Sequence, residues 1–194
     1  MTQRSHHHLT VAVLLILLTA PLSTRAQNAA KVQEPEYKNV FFALSTTDAS
    51  LLPLERQTGT LQEKVGFGGG ESFAEIKGER SPIRFKADQQ LSFVVRLDSP
   101  ETDPGSAVQF FSWQPKKNGR KLVISKAGVM GTSGTTGFAR IPFDAGRYGE
   151  SSAKVTPTKP LAPGEYGLGS PLGNPNLFSF GIDPPDEKSE SKPK

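Results

Sequence analysis

Ser151 and Lys154 stand in the Ser-x-x-Lys spacing in which a lysine serves a serine nucleophile. That chemistry seats the pair on a helix and completes it with Ser-Asp-Asn and Lys-Thr-Gly motifs. Here the flanking residues read as the approach to a strand and neither motif occurs, so the spacing is a coincidence. Gly66-Phe-Gly-Gly-Gly70 resembles a phosphate cradle in composition only. Glu71-Ser-Phe73 follows instead of a Lys-Ser/Thr pair, and the run reads as a hairpin tip or a bulge. Asp98, Glu101 and Asp103 offer the oxygens a hard cation prefers, but their spacing fits no calcium loop and reads as a solvated turn. A glycosidase needs an acid and a base about 5 to 9 Å apart in a cleft, and no carboxylate pair stands out for that role.

The inventory shortens further at the amino terminus. His6, His7 and His8 are the chain's histidines, and it has no cysteine. They precede an apolar run, Leu9 to Leu18, and Ser23-Thr-Arg-Ala26 offers a small residue for cleavage before Gln27. Residues 1–26 therefore read as a secretory signal peptide, too short in its apolar run for a span of about 20 residues. Its removal takes every imidazole with it. The remainder is expected to lack Ser-His-Asp and Cys-His nucleophiles, imidazole acid-base catalysis, and zinc or copper sites built on His or thiolate. No catalytic, cofactor-binding or metal-binding residue is assigned, no cofactor is expected, and the chain reads as non-enzymatic. Net charge falls from +4 to about +2 as Arg4 and Arg25 leave, so overall basicity says little about partners.

One cluster of charge stands out. Lys116, Lys117, Arg120 and Lys121 gather at the turn Asn118-Gly119, a two-residue hairpin signal. With that turn, Lys117 opposes Arg120, Pro115 opposes Leu122 and Trp113 opposes Ile124, placing Phe111, Trp113, Leu122 and Ile124 on one core face. Trp113 is thereby a structural, buried residue. The basic tip is a candidate surface for an anionic glycan, lipid head group or acidic protein, against the plainer reading of a solvated tip that discourages edge pairing. Arg147 and Tyr148, in a Gly-containing connection over 144–152, form a second candidate binding tip. Nucleic acid is not expected.

The elements that must position these residues are short strands between breakers. Val40 to Leu44 reads as a two-sided strand, and Leu51 to Arg56 as an edge strand because Pro53 lacks the ladder donor. Leu91, Phe93, Val95 and Leu97 alternate toward a core. Further strands are expected over 73–76, 83–85, 138–143 and 154–157. Tyr166 and Leu168 alternate on one strand of a closing hairpin, and Phe178, Phe180 and Ile182 on the other.

Leu161-Ala-Pro-Gly-Glu-Tyr166 resembles the tyrosine corner of immunoglobulin-like and fibronectin-III-like domains, in which the tyrosine hydroxyl returns to the backbone just upstream. The resemblance implies a structural role for Tyr166. It also fits a fold class of all-β, a single antiparallel immunoglobulin-like β-sandwich of about nine short strands. The expected organisation is a signal peptide over 1–26, a flexible arm over 27–38, the sandwich over 39–182 and a disordered, polar tail over 183–194. The function that follows is an exported accessory or interaction module, periplasmic or secreted, with an envelope or extracellular protein as partner. Its alternatives are a carbohydrate-binding module using exposed aromatics and an anion-binding surface at the basic tip.

Overall fold

The computed structural model describes residues 32–67, 69–128, 134–172 and 176–185. The leader, the first residues of the arm and most of the tail lie outside these. Strands run β1 Phe41–Leu44, β2 Leu51–Pro53, β3 Glu55–Thr58, β4 Thr60–Gly66, β5 Gly69–Lys77, β6 Arg84–Lys86 and β7 Phe93–Arg96. After the single turn α1 Pro104–Ala107 come β8 Gln109–Lys116, β9 Gly119–Ala127, β10 Thr135–Thr136, β11 Phe143–Tyr148, β12 Ser152–Pro157, β13 Gly164–Gly169 and β14 Asn176–Asp183. The protein is all-β, with fourteen strands among the described residues where about nine were expected. No described helix is long and apolar enough to cross a membrane.

Two sheets form. One is antiparallel, in the order β11-β12-β7-β1-β2, and the second follows β3-β14-β13-β8-β9-β5-β4, with β10 added to β9 and β6 lying parallel to β14. The second sheet closes on itself. Its terminal strands β3 and β4 are separated by Gly59 alone, so one continuous stretch pairs β14 through its first half and β5 through its second. Gln57 seals the seam: its amide donates to the Lys77 carbonyl and its side-chain oxygen accepts from the Lys77 N–H, each at 3.0 Å.

Alternation along these strands then creates two cores. Outside the closed sheet, Phe110, Tyr166, Leu168, Phe178, Phe180 and Ile182 meet Phe41, Phe93, Val95, Ala153 and Val155 of the five-stranded sheet. Inside it lie Ala74, Ile76, Phe111, Trp113, Leu122, Ile124 and Leu177. Each fully buried Phe or Leu is worth about 1.5–3 kcal/mol, so both cores contribute heavily. Gly167 is what lets the inner core fit, because a Cβ there would fall 2.3 Å from the Phe111 ring and 2.7 Å from Trp113 Nε1. At the end of the outer core, the Tyr166 hydroxyl donates to the Ala162 carbonyl at 2.8 Å.

Several local expectations shift. The β8–β9 turn is Lys117-Asn118, with Lys116 opposite Gly119 and Pro115 opposite Arg120. Asn118 takes the left-handed backbone (φ 66°) that the turn demands. Moving the turn by one residue changes both partners in step, so the face carrying Phe111, Trp113, Leu122 and Ile124 survives while the predicted pairs do not. The strand expected over 138–143 begins instead at Phe143 and occupies much of the expected connection, pairing β12 from Phe143 opposite Pro157 to Tyr148 opposite Ser152. The arm is tied down from Glu34 onward, since Arg96 donates to the Glu36 carbonyl and Asn39 N–H to the Arg96 carbonyl. Pro53 does sit on an edge, because β2 pairs β1 alone.

Candidate functional site

The basic hairpin tip is dismantled by the pleat that builds it. Arg120 shares the inward face with Leu122 and Ile124 and is fully buried. It pairs with Glu55 Oε2 at 2.8 Å and Glu165 Oε2 at 3.4 Å, and donates from Nε to the Gly78 carbonyl at 2.9 Å. Arg84 supports the same centre by pairing with Glu165 Oε1 and Asp183 Oδ1, and the Ser81 N–H donates to Glu165 Oε2. Arg120 is therefore no surface contact for a partner. Of its companions, Lys116 pairs with Glu75 and Lys121 with Glu71, each at 2.7 Å, while Lys117 is exposed. Four like charges in sequence become three separately paired cations and one solvated lysine. Sequence alone did not show this because the partners Glu55, Glu71, Glu75 and Glu165 come from distant strands.

The second candidate tip is also committed to structure. Arg147 is exposed on the edge strand β11, but Tyr148 is half-buried and its hydroxyl is enclosed without a hydrogen-bond partner. Burial, with the Glu34 charge nearby, raises its pKa. Glu34 closes the turn beyond it, accepting from the Glu150 N–H at 2.7 Å, the Ser151 N–H at 3.0 Å and the Ser152 hydroxyl at 2.6 Å. Desolvation opposes ionisation of Glu34, but these donors and the Arg96 charge prevail and hold its pKa below the usual carboxylate value. A depressed carboxylate stabilises the fold above its unfolded pKa and loses that contribution as pH falls through its folded pKa. Glu34→Gln is thus expected to melt below the parent at pH 7, with the gap closing as the pH falls below the ordinary glutamate range and through the lowered folded pKa of Glu34. Thermal melts of both proteins from pH 7 to pH 3 read this, and a gap constant with pH would show that the Glu34 charge is not involved.

Trp113 is 3 % exposed, with its indole N–H donating to the Ser179 hydroxyl at 3.1 Å and its ring edge-on to Phe111. Its emission is expected to be blue-shifted and protected from acrylamide in the native state, moving red and becoming quenchable on unfolding. Red emission from the native protein would place Trp113 at the surface.

What the fold leaves exposed is β4 and the tip of the β4–β5 hairpin, since β5 itself pairs β9 along its length. Beyond the seam at Gly59, every residue of β4 is exposed. Phe67 and Val65 are the most exposed large apolar side chains among the described residues, at 105 % and 84 %, and Leu61 on the same face is 56 % exposed. Burying them elsewhere is blocked by register. Leu61 stands opposite Ala74, so its face continues the inner core wall, but from Val65 opposite Gly70 onward no strand among the described residues lies over it.

No family model, curated protein or solved structure matches the chain. The hairpin accordingly rests on its own geometry. Its signal in the sequence was Phe67 within Gly66 to Gly70, read there as a hairpin tip, whereas Leu61 and Val65 carried no sign because β4 has no buried face to impose alternation. A cavity of about 310 Å³ between the β6–β7 and β12–β13 connections, lined by Lys86, Asp88, Leu91, Pro157, Leu161 and Ile182, is a second concavity that no motif announced. Among the described residues, no group of three or more His, Cys, Asp or Glu is placed to hold a metal ion.

Proposed function

We propose that this protein is an exported, non-enzymatic interaction module, an immunoglobulin-like β-sandwich that presents the β4–β5 hairpin to a protein partner in the cell envelope or outside the cell. The observation that carries the proposal is the clustering of exposed Phe67, Val65 and Leu61 on the edge strand and tip of one hairpin, whereas the other exposed large apolar side chains, Val32, Tyr37, Leu52 and Leu172, lie on other segments. Exposed apolar clusters on a rigid projection mark sites of association. The Tyr166 hydroxyl bond to Ala162 supports the immunoglobulin-like part of the reading. The leader over 1–26 supports export.

The alternatives lose their main residues. A carbohydrate-binding face built on Trp113 has no exposed indole to offer. An anion-binding tip over 116–121 retains Lys117 as its one exposed, unpaired cation. The test is a photo-crosslinking residue placed at Phe67 in the producing cells, compared with the same probe at Lys117. A recurrent protein adduct from position 67 alone, lost in the Val65→Ser variant, is the expected result. Adducts from position 117 alone, or none from 67, would overturn the proposal.

A further inference from the structure

The free edge of β4 fixes what kind of partner it takes. Gly66 opposite Gly69 closes the β4–β5 hairpin across two residues, which makes that pair hydrogen-bonded. Counting back, the N–H and C=O groups of Gln62, Lys64 and Gly66 point at β5, and those of Leu61, Glu63 and Val65 point away from it. The neighbouring ladders keep the same parity. They place Pro115, which has no N–H, at a non-hydrogen-bonded position opposite Arg120. Among the described residues no strand lies on the outer side of β4, so three residues present an open row of donors and acceptors, a template for strand addition.

The side chains along that row decide the occupant. In an antiparallel addition, outward-pointing residues must face outward-pointing residues, so a second copy of β4 can align in only a few registers. The register that overlaps over the whole of β4 sets Glu63 against the second copy's Glu63, and like charges directly opposite are destabilising. Shorter overlaps set Lys64 against the second copy's Lys64, or Glu63 against its Leu61 or Phe67. Neither Glu63 nor Lys64 has an ion-pair partner within the chain among the described residues. Self-pairing is disfavoured, and on the open side of β4 two adjacent, opposite charges face no cross-strand counterpart among the described residues.

We infer that β4 accepts an extended strand of a different protein, antiparallel, whose residues read in chain order apolar, acidic, basic, polar, apolar. The acid meets Lys64, the base meets Glu63, and the apolar residues meet Val65 and Leu61. Gly66, with nothing within 4 Å of where a Cβ would stand, leaves the tip open to the incoming chain. This inference rests on the hairpin being the interaction surface and adds the geometry and chemistry of its partner.

The experiment uses the purified protein and two labelled peptides, Thr-Val-Glu-Lys-Thr-Val-Thr and its charge-reversed form Thr-Val-Lys-Glu-Thr-Val-Thr. The first is expected to bind at least tenfold more tightly, to slow amide exchange at Leu61, Glu63 and Val65, and to leave Gln62 and Lys64 unchanged. The double variant Glu63→Lys/Lys64→Glu, at exposed positions of β4, is expected to reverse the preference, with its thermal melt recorded alongside because position 64 stands opposite Glu71. Equal binding of both peptides, no binding of either, no reversal, or a parent protein that dimerises through β4 in sedimentation would each overturn strand addition by charge pattern. A position-67 adduct obtained alongside such a failure would leave the hairpin as the interaction surface and remove only the strand-addition mode.

Discussion

Arg120→Met is expected to lower the unfolding free energy by about 3–5 kcal/mol, the cost of breaking a buried pair from one side. Against the 5–15 kcal/mol that domains typically hold, the loss is a large share of the total. The size follows from what is left behind. Glu165 keeps Arg84 and the Ser81 N–H, but Glu55 keeps only Gln57 as a side-chain partner, and the Lys77 and Gly78 carbonyls lose a donor inside the closed sheet. A second change, Glu55→Met, should therefore recover part of the loss by removing the stranded charge. Lys117→Ala, three residues away at the same hairpin, should change stability by less than about 0.5 kcal/mol. Urea titrations of the four proteins read these differences at once. A parent-like midpoint for Arg120→Met would mean that Arg120 faces solvent, and the basic tip would return as a candidate surface. Salt separates the cases a second way, because a buried pair is screened far less than a surface one.

That contrast between Arg120 and Lys117 marks how far sequence reading reaches. Period-two alternation named the outer-core residues of β7, β13 and β14 although both faces of these strands are buried, because Gly167, Ser179 and Gly181 leave the large rings of β13 and β14 on one face, and Leu91, Phe93, Val95 and Leu97 are all buried as expected. It assigned the inward face of β8 and β9 correctly even with the turn displaced by one residue. Charge, however, was read by proximity along the chain, and the partners that decide its fate lie 45 and 65 residues away in Glu165 and Glu55. The same limit hid the closure of the second sheet. Nothing local to Gly59 says that the strand before it pairs β14 and the strand after it pairs β5. The exposed hairpin was half legible: glycines announced the tip, but a strand that buries nothing has no pattern to read, and the clustering of Leu61, Val65 and Phe67 emerges only from the folded chain.

Phe180→Ala and Phe67→Ala make the same chemical change at opposite ends of this logic. Phe180 has no exposed surface and its ring lies 4.7 Å from Phe93, 5.6 Å from Tyr166, 5.8 Å from Phe85 and 6.0 Å from Phe110. Phe93 belongs to the five-stranded sheet and the other three to strands of the closed sheet, so Phe180 joins the two. Truncating it removes the ring's burial and opens a cavity that rings held from both sides cannot collapse into, a loss of about 3–5 kcal/mol. Because both sheets lose the same contact, unfolding should remain one transition with an unchanged denaturant slope and a lower midpoint. Phe67→Ala removes no burial, and its midpoint should stay within about 0.5 kcal/mol of the parent. Its effect belongs to association instead: the adduct and the peptide affinity should fall while stability does not. The reverse outcome, a costly Phe67 and a silent Phe180, would mean that the hairpin folds back over the core, and the projecting edge would no longer be there to bind.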